Sequence, residues 1–206
     1  MHAAHLLQLW LNQFRTLSCR IRAIYYRAIF GAFGPRSLMR KPLLLSHPEY
    51  MYIGSDVHIR ENARIECVLD GSGRIPELRI GDNSNIEQNC HIICHSRLTI
   101  GKNVSITANC AIVDTTHPYK GTREGEKIGD RILNEDSFVE IGDGALIGFG
   151  SVILPNVRIG RYAVIGANSL VSKSVPDFCI AAGNPAKVLH AWSLGADAER
   201  NILHRS

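Results

Sequence analysis

The stretch IGDGALIGFGSVILPNVRIGRYAVIGANSLV, residues 141–171, decides the fold. An aliphatic residue returns at every sixth position, as Ile141, Ile147, Ile153, Ile159, Ile165 and Val171, and glycine follows it at Gly142, Gly148, Gly160 and Gly166. Two places before each next aliphatic residue stands a small or compact one: Ala145, Ser151, Val157, Ala163 and Ser169. An amphipathic helix would space its apolar residues by three and four, and a half-buried strand would alternate every two. A period of six, with one inward aliphatic residue and a glycine, is instead the pattern of a solenoid. Its short strands meet at sharp corners, and each coil buries its face on the next.

Outward from that core the same ladder reappears. It runs through Ile53, Ile59 and Ile65, breaks at Asp70–Pro76 in a loop with Gly71 and Gly73, and resumes at Ile80, Ile86 and Ile92. It slips by two between His95 and Leu98, then continues at Ile100, Ile106 and Ile112. Between Asp114 and Val139 there is no such spacing, only a polar excursion containing His117, Tyr119, Arg123, Glu124 and Glu126. A long loop leaving a rigid scaffold is where function tends to sit.

The 206 residues suffice for one domain with appendages. The net charge of +4 conceals an asymmetry, because residues 1–41 hold Arg15, Arg20, Arg22, Arg27, Arg36, Arg40 and Lys41 and no acid. In this segment Leu7, Trp10, Phe14, Leu17, Ile21, Ile24 and Ala28 recur at helical spacing with arginines beside them, up to Gly31, Gly34 and Pro35. Such a helix either lies on a membrane surface, a contact expected of residues 6–29, or packs on the first coil or a neighbouring subunit. No apolar run reaches the roughly 18 residues of a spanning helix, and the charge follows the apolar start, unlike a signal peptide. Its aromatic residues fall on the apolar stripe, so no nucleic-acid role is expected. The six cysteines form no CxxC pair and read as reduced thiols of a cytoplasmic protein; Cys90 and Cys110 take the small-residue slot and read as buried.

Together with Asp114-Thr115-Thr116-His117-Pro118 and with Ala181-Ala182-Gly183-Asn184-Pro185-Ala186-Lys187-Val188, the repeat resembles the hexapeptide-repeat acyltransferases, from about Tyr50 to His190. The resemblance implies an all-β, left-handed parallel β-helix with triangular coils; spacing alone does not give the hand, since parallel crossovers are ordinarily right-handed. The expected layout is a basic amphipathic helix and linker over 1–45, the β-helix over 46–185 with its loop at 114–139, and a short C-terminal helix and tail over 186–206, suggested by Val188, Leu189 and Trp192.

It also implies acetyl-coenzyme A as acyl donor, no metal, and a homotrimer with the site between subunits. Carried over by motif, His117 is the general base that deprotonates an acceptor hydroxyl. Phe149, Ala167, Ser172, Lys173 and Lys187 border the coenzyme, with the lysines on its phosphates. Glu87 and Asp114 face the acceptor. Glu87 stands where related sugar acetyltransferases carry asparagine, and Leu146 where they often carry tryptophan. The arginine-rich helix resembles the subgroup acetylating bacterial surface polysaccharides or their lipid-linked precursors. Three alternatives stay open: an amino-sugar N-acyltransferase, a catalytically inactive scaffold or partner-binding trimer, and a zinc enzyme like the γ-type carbonic anhydrases using His91, His95 and His117, since three imidazoles leave a water position on zinc.

Overall fold

The computed structural model describes residues 21–132 and 135–193. Three parallel sheets run its length and form the three faces of a coil stack. Phe33, Ile53, Ile80, Ile100, Ile141 and Ile159 lie in register on the first face. Met39, Ile59, Ile86, Ile106, Ile147, Ile165 and Ala181 do so on the second. Leu45, Ile65, Ile92, Ile112, Ile153 and Val171 form the third. Nearly all of these are buried in one continuous core, so each coil is covered by its neighbours as the repeat requires.

Asparagine and glycine make the corners. Between the second and third faces Asn62, Asn89, Asn109, Gly150 and Asn168 stand one above another at positive φ, 55–71°. This is the left-handed region that asparagine tolerates through local hydrogen bonding. The Asn89 amide donates to Asn109 Oδ1 at 3.0 Å, tying adjacent corners. Gly148 precedes such a corner, and a β-carbon there would lie 2.5 Å from the Ile165 carbonyl oxygen, so only glycine allows the coils to close up.

Two corners keep the six-residue interval in every coil; the third, between the third and first faces, does not. Across it the intervals are eight residues (Leu45 to Ile53), fifteen (Ile65 to Ile80), eight (Ile92 to Ile100), twenty-nine (Ile112 to Ile141) and six (Ile153 to Ile159). Every break in the ladder, including the slip at His95, therefore stacks along one edge of the molecule.

The first coil begins at Ala32, inside the stretch expected as linker. Phe33, Met39 and Leu45 keep the six-residue spacing but lack the Ile-Gly signature. A helix over residues 21–29 closes this end. Tyr26, Phe30 and Phe33 pack ring to ring at 5.3–5.6 Å, and Ala23 is buried beside them.

The other end differs from expectation. In place of a short C-terminal helix, the strands Cys179–Gly183 and Ala186–Ala191 form an antiparallel hairpin on the edge of the second sheet. The open edge of that sheet offers unpaired N–H and C=O groups, and pairing with it outweighs the weak helical spacing of Val188, Leu189 and Trp192. Trp192 packs edge-on against Phe178 at 5.7 Å, and Phe178 stacks on Tyr162 at 5.4 Å. Residues 194–206 lie outside the described residues.

Candidate active site

The irregular corner carries the chemistry-bearing residues. Asp114, which starts the long loop, is fully buried. Its Oδ1 accepts the His95 N–H at 2.6 Å and its Oδ2 the Ser96 N–H at 2.8 Å. Burial pushes its carboxyl above the usual aspartate range, and the backbone N–H groups oppose that rise. Asp114 therefore does not face an acceptor as expected. Its carboxylate is consumed by the backbone of the coil below, and it anchors the loop.

One insertion further down, the His95 ring is buried with Nε2 3.0 Å from Asp70 Oδ2. The hydroxyl and N–H of Ser72, then His95, hold the Asp70 carboxyl far below its ordinary range. Arg74 of the same insertion reaches Asp136 at the far end of the long loop and Ser96 Oγ. The short insertions at 68–76 and 95–96 thus brace both ends of the long one.

His117 lies three residues beyond Asp114 and is exposed. Its Nδ1 is 2.8 Å from the Arg131 carbonyl oxygen. A carbonyl can only accept, so Nδ1 carries a proton, and in the neutral ring the lone pair falls on Nε2. The Arg131 guanidinium donates to Thr122 Oγ1 at 2.6 Å and to the Lys120 carbonyl at 3.3 Å, drawing the loop together. The result is an open cleft of about 560 Å³ lined by Thr116, His117, Tyr119, Lys120, Arg131 and Ile132. An imidazole positioned through one nitrogen can, in its neutral form, take a proton at the other.

The remaining expected residues divide between two edges. Phe149 and Ala167 occupy the same corner position on successive coils, between the second and third faces, and the Asn168 N–H donates to the Phe149 carbonyl at 2.7 Å. Phe149 is half exposed and Ala167 exposed. Lys187, exposed on the terminal hairpin opposite Ala182, lies beside that edge. Glu87 follows the second-face strand Asn85–Ile86 and so sits on this edge too, 3.6 Å from Arg60. Ser172 and Lys173, both exposed, come after the third-face strand Leu170–Val171, on the His117 side of that face. Within one chain, His117 and Glu87 stand on opposite edges of the third face.

The three-histidine alternative finds no geometric support. His95 is committed to Asp70, His117 stands out on its loop, and no group of three His, Cys, Asp or Glu side chains among the described residues is arranged to hold a metal ion. Cys90 and Cys110 are buried, and their thiols donate to the Thr107 and Gly148 carbonyls, each at 3.2 Å.

A coil stack of six-residue repeats with a histidine-bearing loop at one corner defines a class, the left-handed parallel β-helix proteins built from hexapeptides. Residues 138–173 match the family described as bacterial transferase hexapeptide (six repeats). The chain is 28% identical over 175 residues, 82% of this chain and 89% of its relative, to the Escherichia coli K12 protein named "Putative lipopolysaccharide biosynthesis O-acetyl transferase WbbJ". It is 38% identical over 113 residues, 54% of this chain and 53% of the relative, to the galactoside O-acetyltransferase of the same organism. The solved galactoside acetyltransferase in complex with coenzyme A superposes with a TM-score of 0.50 at 26% identity, covering 81% of this chain and 67% of that one. The chain spans about half the length of the yeast relatives it matches, 54% and 45%.

Proposed function

We propose that the protein is an acyl-coenzyme A-dependent O-acetyltransferase. It moves an acetyl group from acetyl-coenzyme A to a sugar hydroxyl in the assembly of a bacterial surface polysaccharide or lipid-linked glycan, at the cytoplasmic side of a membrane. What carries this reading is the position of His117 in the cleft with Nδ1 held by the Arg131 carbonyl, which leaves Nε2 as the nitrogen that can take a proton. In the reaction, Nε2 takes the proton of the acceptor hydroxyl as its oxygen attacks the thioester carbon. The carbonyl π-electrons move to the oxygen, which backbone N–H groups at the coil corners stabilise. The carbonyl then re-forms, the C–S bond breaks, and the imidazolium returns its proton to the departing sulfur.

On the donor side, Phe149 and Ala167 line the pantetheine path and Lys187 meets phosphate, with Ser172 and Lys173 at the neighbouring edge. Glu87 contacts the acceptor. Because His117 and Glu87 occupy opposite edges of one face, they share a site only if the Glu87 edge of one copy meets the His117 loop of another. This favours a homotrimer in which each site is completed by a neighbour. The galactoside and lipopolysaccharide relatives support a glycan acceptor.

The test is to incubate the protein with acetyl-coenzyme A and a panel of sugars and amino sugars, following free thiol and product mass. A product with one added acetyl that is lost under mild alkaline hydrolysis supports the reading. An alkali-stable amide on an amino sugar, or no transfer to any acceptor, overturns it.

A further inference from the structure

The helix over residues 21–29 has two different apolar faces, and the coils use only one. Ala23, Tyr26 and Phe30 point into the first coil and are 3–7% exposed. Ile21, Ile24 and Tyr25 point away and are 59–67% exposed, and Ala28 completes this outer stripe at the i, i+3, i+4, i+7 spacing of one helix face. The outer stripe, not the capping face, continues the 3-4 register of Leu7, Trp10, Phe14 and Leu17 in the preceding sequence. Capping the β-helix therefore leaves this stripe unpartnered.

We infer that the outer stripe is a docking surface for an anionic lipid bilayer, on which the helix lies flat with its capping face turned toward the coils. Charge selects this occupant. Arg22 and Arg27 flank the stripe on its two sides, Arg15 and Arg20 precede them, and residues 1–41 contain no acid. Arginine stems lie along an apolar face while their heads reach anionic headgroups, and an exposed aromatic such as Tyr25 suits the interface. A second copy is the competing occupant, because a strict 3-4 register is also that of a coiled coil. Pairing such helices would bring Arg22 and Arg27 of several copies together with no carboxylate in the segment to meet them, whereas an anionic surface neutralises all of them. No helix among the described residues is long and apolar enough to cross a bilayer, so the contact is interfacial.

The full-length chain is to be sedimented with vesicles of phosphatidylcholine alone and of phosphatidylcholine with phosphatidylglycerol, over a salt series. Binding to the anionic vesicles, weakened by salt, is expected. The double substitution Ile21→Glu/Ile24→Glu, at exposed positions, should lower partitioning on the order of a hundredfold. Arg22→Gln/Arg27→Gln should remove most of the preference for the anionic lipid. Neither pair should change the thermal midpoint, the oligomeric mass or acetyl-coenzyme A binding, which separates this proposal from the catalytic reading. Tyr26→Ala, on the capping face, should lower the thermal midpoint instead. Absence of wild-type binding would overturn the proposal. So would a fall in oligomeric mass, in the absence of lipid, for the double glutamate variant, which would assign the stripe to a second copy.

Discussion

Replacing Asp114 with alanine should both loosen the fold and disarm the loop. The carboxylate is fully buried and accepts two backbone N–H groups, from His95 at 2.6 Å and Ser96 at 2.8 Å. Truncation leaves both donors in a space closed to solvent, at about 1–3 kcal/mol each. Part of that cost is recovered because a carboxylate disfavoured by burial has gone, so a net loss of about 2–4 kcal/mol is expected, a sizeable fraction of the 5–15 kcal/mol typical of a folded protein. Asp114→Asn keeps the shape and one acceptor while turning an NH2 group toward the other donor, and should cost about 1–2 kcal/mol.

The pH dependence has a definite sign. Burial raises the folded pKa of Asp114 above its unfolded value, so its contribution is complete below the ordinary aspartate range and declines as pH rises through the folded value. The penalty of Asp114→Ala should therefore be larger in acid than at neutral pH. Urea unfolding at fixed protein concentration reads both quantities as the shift in midpoint at constant slope. Because Asp114 anchors the loop three residues before His117, acetyl transfer should also fall while acetyl-coenzyme A binding persists. An unchanged urea midpoint together with unchanged turnover would refute the anchoring role.

Other consequences can be checked with the same assays. The lowered pKa of Asp70 has the opposite sign to that of Asp114: its stabilisation is present above the ordinary aspartate range and lost as pH falls below it. The stability gap between wild type and Asp70→Asn should therefore close in acid, and a pH-independent gap would show that Asp70 does not engage Ser72 and His95 as a carboxylate. Lys187→Ala should weaken acetyl-coenzyme A binding by about 3–30-fold, the value of one lysine–phosphate contact in partly exposed surroundings, as measured by calorimetry; equal affinity would remove it from the donor site. Ile147→Ala, at a fully buried rung of the second face, should cost about 2–5 kcal/mol through lost burial and a residual cavity, with a correspondingly lower urea midpoint.

The solenoid is legible because its physics is local: one inward aliphatic residue and one tight corner per face repeat regardless of what lies elsewhere. Where the rungs are Phe33, Met39 and Leu45, the spacing persists without the Ile-Gly signature, and a complete first coil reads as linker. The irregular corner was visible only as a set of interruptions. Nothing in the one-dimensional pattern reveals that the insertion at Asp70, the slip at His95 and the loop at Asp114 fall on the same edge, because that follows from counting coils in register. Hence His117 stands out as the residue heading the longest loop, whereas the bracing roles of Asp70 and Arg131 escape notice, His95 reads only as a candidate zinc ligand, and Asp114 reads as a substrate contact. The terminal strand Ala186–Ala191 was hidden for a related reason. Its conformation is imposed by an open sheet edge distant in sequence, against a weak local helical spacing. The two faces of the helix at 21–29 pose the same difficulty, because burial of Tyr26 and Phe30 depends on the coil beneath them.

The most direct test of the catalytic account compares wild type with His117→Ala in two measurements on the same preparation: acetyl-coenzyme A affinity by calorimetry and acetyl transfer to a sugar acceptor. If His117 Nε2 is the general base, its removal should lower transfer by about 10²–10⁴-fold and leave donor affinity within about twofold, since its Nδ1 is engaged by the Arg131 carbonyl. Transfer that proceeds at the wild-type rate in His117→Ala would contradict the account.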